Sequence, residues 1–286
     1  MTQEAITEST AGVKHMMNNH LFDHLSIELL FLLTVVLMLL MLELGFRFGL
    51  RTQAKPVKEQ TAQVRSLMGA TLGLLAFMLA FTFSNAQTHF ENRMQLQIDE
   101  AVVAKSAFMQ VDLAGEPLRT RARELLLDYI GGRVELNSVV RQGRVSDVFP
   151  LVQRAEEIQL ELWSLGMKDR LSVDNEVGGS PKSDQFMTSV LSLMDIHTYR
   201  AQAALVDRIP VIIWLTLYCT AVMSMIVVGY QAGLTVKRSP IATYSLALAF
   251  AAVMMLIMDL DRPMQSVFEL DGTVMRQLAV FMRNEL

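Results

Sequence analysis

Four separate stretches of this chain are apolar over about the 20 residues that a helix needs to cross a lipid bilayer. They cover residues 27–48, 67–86, 210–234 and 241–258. A helix that is apolar on every side offers no face to water, so four such helices do not fit a soluble protein. The sequence therefore predicts an all-α membrane protein with four transmembrane helices.

The composition agrees with this prediction. Of the 286 residues, 52% are apolar and 19% are charged, whereas a soluble domain is about a quarter charged. The net charge of −4 provides no basic face for phosphates, so nucleic acid is not expected as a partner. The partner that the composition predicts is the lipid bilayer.

A large polar insertion separates the second and third apolar runs. Its apolar residues recur at intervals of three and four, which predicts about four amphipathic helices, packed as a bundle and continuous with the flanking membrane helices. Predicted breaks fall at 114–117, 131–132 and 149–150, with a loop at 166–184. The predicted organisation is an N-terminal tail, two transmembrane helices, a helical-bundle insertion, two transmembrane helices and a C-terminal corner with a helix, at 1–26, 27–86, 87–209, 210–258 and 259–286.

Basic residues cluster in the two short connections between apolar runs. The first connection contains Arg47, Arg51, Lys55, Lys58 and Arg65, and the second contains Lys237 and Arg238. Short loops rich in Lys and Arg stay in the cytoplasm, whereas long domains translocate largely regardless of charge. The pattern predicts cytoplasmic short loops and an insertion that faces outward.

The second apolar run carries a stripe of small residues. Gly69, Gly73, Ala76, Ala80 and Ser84 follow one another at spacings of four, three, four and four. Small side chains let membrane helices approach closely, where lipid provides no hydrophobic drive to associate. The stripe predicts tight packing of this helix, either within one chain or between copies.

Two aromatic residues and a polar end add a second hypothesis for this run. Phe77 and Phe81 lie four residues apart, next to Gly73 and Ser84. They either face lipid or neighbouring helices, or form an apolar constriction that gates ions by dewetting. The residues that follow would form the mouth of such a pore: Asn85, His89, Glu91 and Arg93. His89 is there either a proton sensor or an ordinary solvated histidine.

The fourth run ends abruptly in the sequence "DLDRP" at 259–263. Asp259 and Arg262 are three residues apart and share a helix face, while Asp261 points elsewhere. Pro263 disfavours helical geometry at the residue before it, so the helix has to end or kink there. The segment is either a plain membrane stop or a fixed corner that docks the C-terminal segment.

The sequence gives little support to an enzyme. It contains no hydrolase, metalloprotease or nucleotide-binding motif, so no catalytic residue, metal site or cofactor is predicted. The acidic pairs Asp99–Glu100 and Glu156–Glu157 are interpreted as solvated helix faces. No charged residue lies in the middle of the second, third or fourth run, which disfavours an ion-coupled transporter.

Two segments together resemble the bacterial bestrophin-like domain family, which consists of four-span membrane proteins. The first runs from "LGLLAFMLAFTFSNAQTHFENR" through "IDEAVVAKSAFMQVDLAGEPLRTRARELLLDYI", and the second is "MDLDRPMQSVFELDG". The resemblance covers about residues 27–280.

Bestrophins proper are pentameric ion channels, mainly for anions, whose second membrane helix lines an apolar neck. The resemblance thus implies a homo-oligomer of five subunits in the bacterial inner (plasma) membrane, with small ions as its cargo and Phe77 and Phe81 as neck residues. It also implies a structural corner at Asp259, Asp261, Arg262 and Pro263. Calcium gating is not implied, because the chain lacks a recognisable acidic calcium clasp. The large domain of bestrophins is cytoplasmic, which conflicts with the outward insertion that the basic loops predict.

Three hypotheses for function remain open. The first is an oligomeric ion channel with a hydrophobic neck on the second transmembrane helix. The second is a non-conducting membrane sensor or scaffold whose helical insertion binds a partner. The third is a stator-like proton channel with the same arrangement of spans and a cytoplasmic middle loop.

Overall fold

The computed structural model describes residues 26–52, 58–112, 115–116, 118–142, 144, 147–173, 181–205, 207–235, 240–262 and 272–285. Within these ranges every long element is an α-helix and no strand occurs. The helices are α1 (Ile27–Thr52), α2 (Lys58–Val111), α3 (Leu118–Arg141), α4 (Val148–Val173), α5 (Pro181–Leu205), α6 (Val211–Thr235), α7 (Pro240–Asp261) and α8 (Thr273–Asn284).

The predicted fold class is confirmed. Four helices are long and apolar enough to cross a membrane, namely α1, α2, α6 and α7. The insertion between the second and third of them is helical, as predicted. With 54 residues, α2 is about 80 Å long at 1.5 Å per residue, which exceeds the roughly 30 Å hydrocarbon core of a bilayer.

The chain divides into two compact units. The membrane unit consists of Met1–Phe90 and Arg208–Arg262, and the helical unit consists of Glu91–Asp207 and Pro263–Leu286. Helix α2 begins in the membrane unit and ends in the helical unit, so the predicted continuity holds at this end of the insertion. At the other end, α5 and α6 are separate helices. Pro210 lies directly before α6, and its carbonyl accepts the N–H of Ile213 at 2.9 Å in the first turn of that helix.

In the membrane unit, α1 and α6 pack backbone against backbone. Gly229 of α6 lies so close to α1 that a Cβ atom there would overlap the carbonyl oxygen of Leu42 and sit 2.9 Å from the nitrogen of Phe46. One turn further on, a Cβ at Gly233 would sit 2.8 Å from the Cα of Gly49. Only glycine fits at such a contact.

Larger side chains fill the rest of the membrane unit. Leu75 and Leu79 of α2 belong to a buried cluster with Trp214 of α6 and Ile257 of α7. Two hydroxyl contacts add to this packing. Thr34 Oγ1 lies 2.9 Å from Tyr218 Oη, and Ser224 Oγ donates to the carbonyl of Thr71 at 3.2 Å.

The helical unit has its own apolar core. The second half of α2 and helices α3, α4, α5 and α8 all contribute to it. Its buried members include Ala104, Phe108, Leu125, Leu126, Ile158, Leu162, Phe186, Val190, Met275 and Met282. These residues occur at the spacings of three and four that predict amphipathic helices.

Two predicted interruptions are wrong. Gly131 and Gly132 lie inside α3, where the cost of glycine, about 1 kcal/mol each, is offset because the helix buries neighbours such as Ile130. The predicted loop at 166–184 is shorter, because α4 continues to Val173 and α5 begins at Pro181. Gly166 gives Met187 room to pack, since a Cβ at Gly166 would lie 3.3 Å from Met187 Cγ.

A third predicted break marks a helix start. Phe149 and Pro150 lie in the first turn of α4, where the missing N–H of proline costs nothing because it would have no partner within the helix.

Candidate functional site

The small residues of α2 face away from the rest of their own chain. Gly69, Gly73, Ala76, Ala80 and Ser84 are all exposed. A Cβ atom added at Gly69 or Gly73 would meet nothing within 4 Å. Within the part of the chain that the structure describes, the stripe therefore leaves this face of α2 uncovered. Contact between copies of the chain, the other alternative that the spacing left open, stays a prediction.

The two phenylalanines lie on the same outward surface. Phe77 is 69% exposed and Phe81 is 62% exposed, more than any other aromatic side chain that the structure describes in the membrane unit. Opposite them on the helix, Leu75, Leu79 and Thr82 are buried. Successive residues of an α-helix are rotated by about 100° around its axis, so positions two apart lie on nearly opposite sides. Helix α2 therefore has one face toward its own chain and one face away from it.

The residues predicted for the pore mouth do not share one face. Glu91 is exposed, Asn85 and His89 are half-buried, and Arg93 is 6% exposed. Asn85 and His89 belong to the membrane unit, whereas Glu91 and Arg93 belong to the helical unit. The structure thus brings Glu91 into register with the small residues and turns Arg93 away from them.

The acidic end of α7 is buried rather than solvated. Asp259, Asp261 and Arg262 are 3%, 8% and 4% exposed. Asp261 accepts a hydrogen bond of 2.9 Å from the backbone N–H of Ile209, just before α6, and α7 ends at Asp261 as the following proline predicts. Asp261 therefore fixes a corner between the start of α6 and the end of α7. Pro263 lies outside the described residues.

A buried network of charged and polar side chains lies inside the helical unit. Its centre is Glu100 of α2, which is fully buried. Arg133 of α3 donates to Glu100 Oε1 through Nε at 2.8 Å and through Nη2 at 2.7 Å. Tyr129 also donates to Oε1, and Arg200 of α5 donates to Oε2. Both carboxylate oxygens are therefore occupied, and one negative charge is shared by two guanidinium groups.

A histidine extends the network on the side away from Glu100. Arg133 Nη2 contacts His197 Nδ1, and His197 Nε2 lies 3.7 Å from Glu156 Oε1. Burial lowers the pKa of His197 from its ordinary value, and the charge of Arg133 acts in the same direction, whereas Glu156 opposes both. Burial also lowers the pKa of Arg200, to about 10.

The interpretation of Asp99–Glu100 as a solvated pair is wrong for Glu100. Its position shares a helix face with Arg93, Gln97, Ala104 and Phe108, and all of these are buried. The burial of Glu100 could be predicted from the helical periodicity of α2, because positions three, four and seven residues apart share a face. Glu156 is 42% exposed, so the interpretation of a solvated helix face is only partly right there.

Comparisons with known proteins support one fold. No family model matches the chain, and no curated protein matches it. Two single-residue variants of a bacterial bestrophin homolog from Klebsiella pneumoniae each match with a TM-score of 0.62 and 13% sequence identity, covering 90% of this chain and 99% of theirs. A crystal structure described as a membrane protein matches with a TM-score of 0.61 and 13% identity, covering 90% and 98%.

These matches confirm the resemblance that the sequence predicts at the level of the fold. They span almost the whole of the matched chains, so the four apolar helices and the helical insertion are aligned together. The chain is a membrane protein with the fold of bacterial bestrophin homologs.

Proposed function

We propose that this protein is an oligomeric ion channel of the bacterial inner membrane and that α2 lines its neck. Phe77 and Phe81 would form the narrow apolar part of the pore, with Gly73 and Ser84 beside them. The observation that carries the proposal is the outward face of α2, where small and aromatic side chains occur together and face away from their own chain.

Burial of the four apolar helices supports a special role for α2. In its most apolar window, 17% of the residues are buried within the chain, against 28% in α1, 33% in α6 and 28% in α7. A helix that its own chain covers least is the one most available to other subunits or to a pore. Small residues favour close contact between membrane helices, and exposed aromatic rings suit an apolar constriction.

Beyond the exposed Glu91, apolar side chains recur on the same face of α2. In the helical unit, Met94, Ile98, Val102 and Met109 are 42%, 36%, 58% and 56% exposed. They continue the register of Gly73 and Ala80 by helical geometry. The helical unit lies outside the bilayer in this proposal, so lipid would not cover these side chains. An exposed apolar row outside the bilayer is typical of a protein interface, and we propose that other copies of the chain cover it.

We expect the double substitution Phe77→Ala and Phe81→Ala to raise ion flux through the open channel. Removing both rings widens the constriction, and each reduction of the barrier by about 1.4 kcal/mol raises the flux about tenfold. The measurement is single-channel conductance of purified protein in planar bilayers. Phe48→Ala is the matched control, because Phe48 is a 56% exposed aromatic residue on α1 rather than α2.

An unchanged conductance in the double variant would remove Phe77 and Phe81 from the pore. A well-folded oligomer that conducts no ions would overturn the channel proposal and favour the scaffold hypothesis.

For orientation, we propose that the short basic loops are cytoplasmic, on the distribution of Lys and Arg in the sequence. To test this orientation, the single cysteine, Cys219, is replaced by serine. A new cysteine is then introduced at Ser138, an exposed residue of α3. A membrane-impermeant maleimide added to whole cells should then label the protein. Labelling only after cell lysis would place the helical unit in the cytoplasm instead.

A further inference from the structure

The contact of Arg133 with His197 favours the neutral imidazole. Arg133 can only donate hydrogen bonds, so the Nδ1 atom that it contacts has to accept one. His197 is then neutral and carries its single proton on Nε2, which points toward Glu156 at 3.7 Å. The side chain is 7% exposed, so bulk water has little access to the ring.

Four helices bring charged or polar groups to this position. Helix α2 contributes Glu100 and α3 contributes Tyr129 and Arg133. Helix α4 contributes Glu156 and Gln159, and Gln159 Nε2 donates to Tyr129 Oη at 3.3 Å. Helix α5 contributes Arg200 in addition to His197 itself. Any change in the charge of His197 therefore acts where α2, α3, α4 and α5 are joined.

Protonation of His197 is incompatible with the present contact. Both ring nitrogens of the imidazolium are donors, so the hydrogen bond from Arg133 to Nδ1 is lost. Two cations would then face each other in a buried site, where charges are weakly screened. Glu100 does not neutralise the added charge, because its single negative charge is already shared by Arg133 and Arg200. Glu156 compensates only in part, since it is 42% exposed.

We propose that His197 is a proton-sensing site whose protonation separates it from Arg133 and loosens the contact between α3 and α5. Because Glu100 binds Arg133 from α2, the change reaches the helix that carries Phe77 and Phe81. A role of this site in gating rests on the proposed channel function, whereas the proton-dependent opening of the helical unit does not.

The sign of the pH dependence follows from the direction of the pKa shift. The pKa of His197 is lowered in the folded protein, so the opened state binds a proton more readily than the closed state. The closed arrangement is fully stable above the ordinary histidine value of about 6.5. Its stability falls as the pH drops from that value toward the lower folded pKa. One linked proton limits the effect to about tenfold in the opening equilibrium per pH unit.

Hydrogen–deuterium exchange of the full-length protein in lipid nanodiscs tests the site without reference to conduction. Exchange is followed in peptides from α3 and α5 between pH 7.5 and 5.5 and corrected for the intrinsic rate. In the wild type, protection should fall below about pH 6.5, by up to about tenfold per pH unit. In His197→Gln the acid-dependent loss should vanish, because the amide oxygen still accepts from Arg133 but does not titrate.

A second pair of variants keeps the histidine in place. Glu156→Gln removes the group that favours the protonated ring. Protection in this variant should therefore keep falling at acidic pH values where the wild type has levelled off. Glu157→Gln is the matched control, because Glu157 is on the same helix and its carboxylate lies 3.5 Å from Arg154. The profile of Glu157→Gln should follow the wild type.

Three results would overturn the proton site. They are a wild-type profile that stays flat down to pH 5.5, an acid response that survives in His197→Gln, and identical profiles for Glu156→Gln and Glu157→Gln.

Conductance in planar bilayers at pH 7.5 and 5.5 separates this proposal from the channel proposal. If both hold, conductance changes on acidification in the wild type and does not change in His197→Gln. A silent bilayer with the expected exchange profile overturns the channel and retains the proton site. Conducting protein with a flat exchange profile retains the channel and overturns the proton site.

Discussion

Replacing Glu100 with glutamine is expected to destabilise the helical unit by about 3–5 kcal/mol, which is the usual cost of breaking a buried ion pair from one side. Glutamine has nearly the same volume, so the loss is electrostatic. Arg133 and Arg200 would be left as buried cations that no carboxylate neutralises, since their side chains are 5% and 17% exposed. Thermal unfolding of the purified protein, with hydrogen exchange to locate the effect, measures the change.

An exposed acid of the same unit provides the control. Glu161 lies 2.7 Å from Arg121 and is 39% exposed, and a pair of this kind contributes about 0–1 kcal/mol. Glu161→Gln should therefore have little effect. The double variant Glu100→Gln with Arg200→Gln should recover part of the stability, because it removes one of the two uncompensated cations. If Glu100→Gln costs no more than Glu161→Gln, the buried network does not stabilise the helical unit.

Gly229→Ala is expected to have an effect of similar size in the membrane unit. The added methyl group would overlap the carbonyl oxygen of Leu42, which is backbone and cannot move without shifting α1. Overpacking costs about 1–3 kcal/mol, and more where the backbone has to move. Thermal unfolding in detergent or nanodiscs should show a lowered midpoint and separation of α1 from α6.

Gly131→Ala is the control with the opposite sign. Gly131 is exposed within α3 and a Cβ there would meet nothing within 4 Å. Alanine in place of an exposed helical glycine should stabilise α3 by about 0.5–1 kcal/mol. Equal effects of Gly229→Ala and Gly131→Ala would contradict the close contact between α1 and α6.

The fold could be predicted from the sequence because its main determinants are local. Apolar runs of membrane length specify the transmembrane helices without knowledge of their neighbours. The length of α2 is equally local, because no glycine or proline occurs between Gly73 and Gly115 to end the helix. The pair Gly131–Gly132 does not interrupt α3, because burial of one face of this helix outweighs the low helix propensity of two glycines.

Helix pairing could not be predicted in the same way. The G-x-x-x-G pattern of α2, at Gly69 and Gly73, looks the same in sequence as those at Gly45–Gly49 and Gly229–Gly233. Among the described residues, the last two meet each other, whereas a Cβ at Gly69 or Gly73 would meet nothing within 4 Å. The pattern shows that a helix can be approached closely, but the identity of the partner depends on tertiary packing.

The candidate site was predictable only in part. The register of Phe77 and Phe81 with the small residues follows from helical geometry. The network around Glu100 combines residues up to 100 positions apart, so no local pattern contains it. His197 did follow an apolar helical pattern, with Val190 and Leu193. A polar residue on an apolar face needs a buried partner, but the sequence does not say which one.

The proposed contact between copies of α2 is tested most directly by cysteine cross-linking in native membranes. In a Cys219→Ser background, Ala80→Cys places one thiol on the outward face of α2, and Leu248→Cys places one on α7, where Leu248 is 50% exposed. A short bis-maleimide should convert the Ala80→Cys protein to covalent dimers and leave the Leu248→Cys protein monomeric. A monomeric Ala80→Cys protein, at equal expression and thiol reactivity, would contradict an interface or a neck formed by α2.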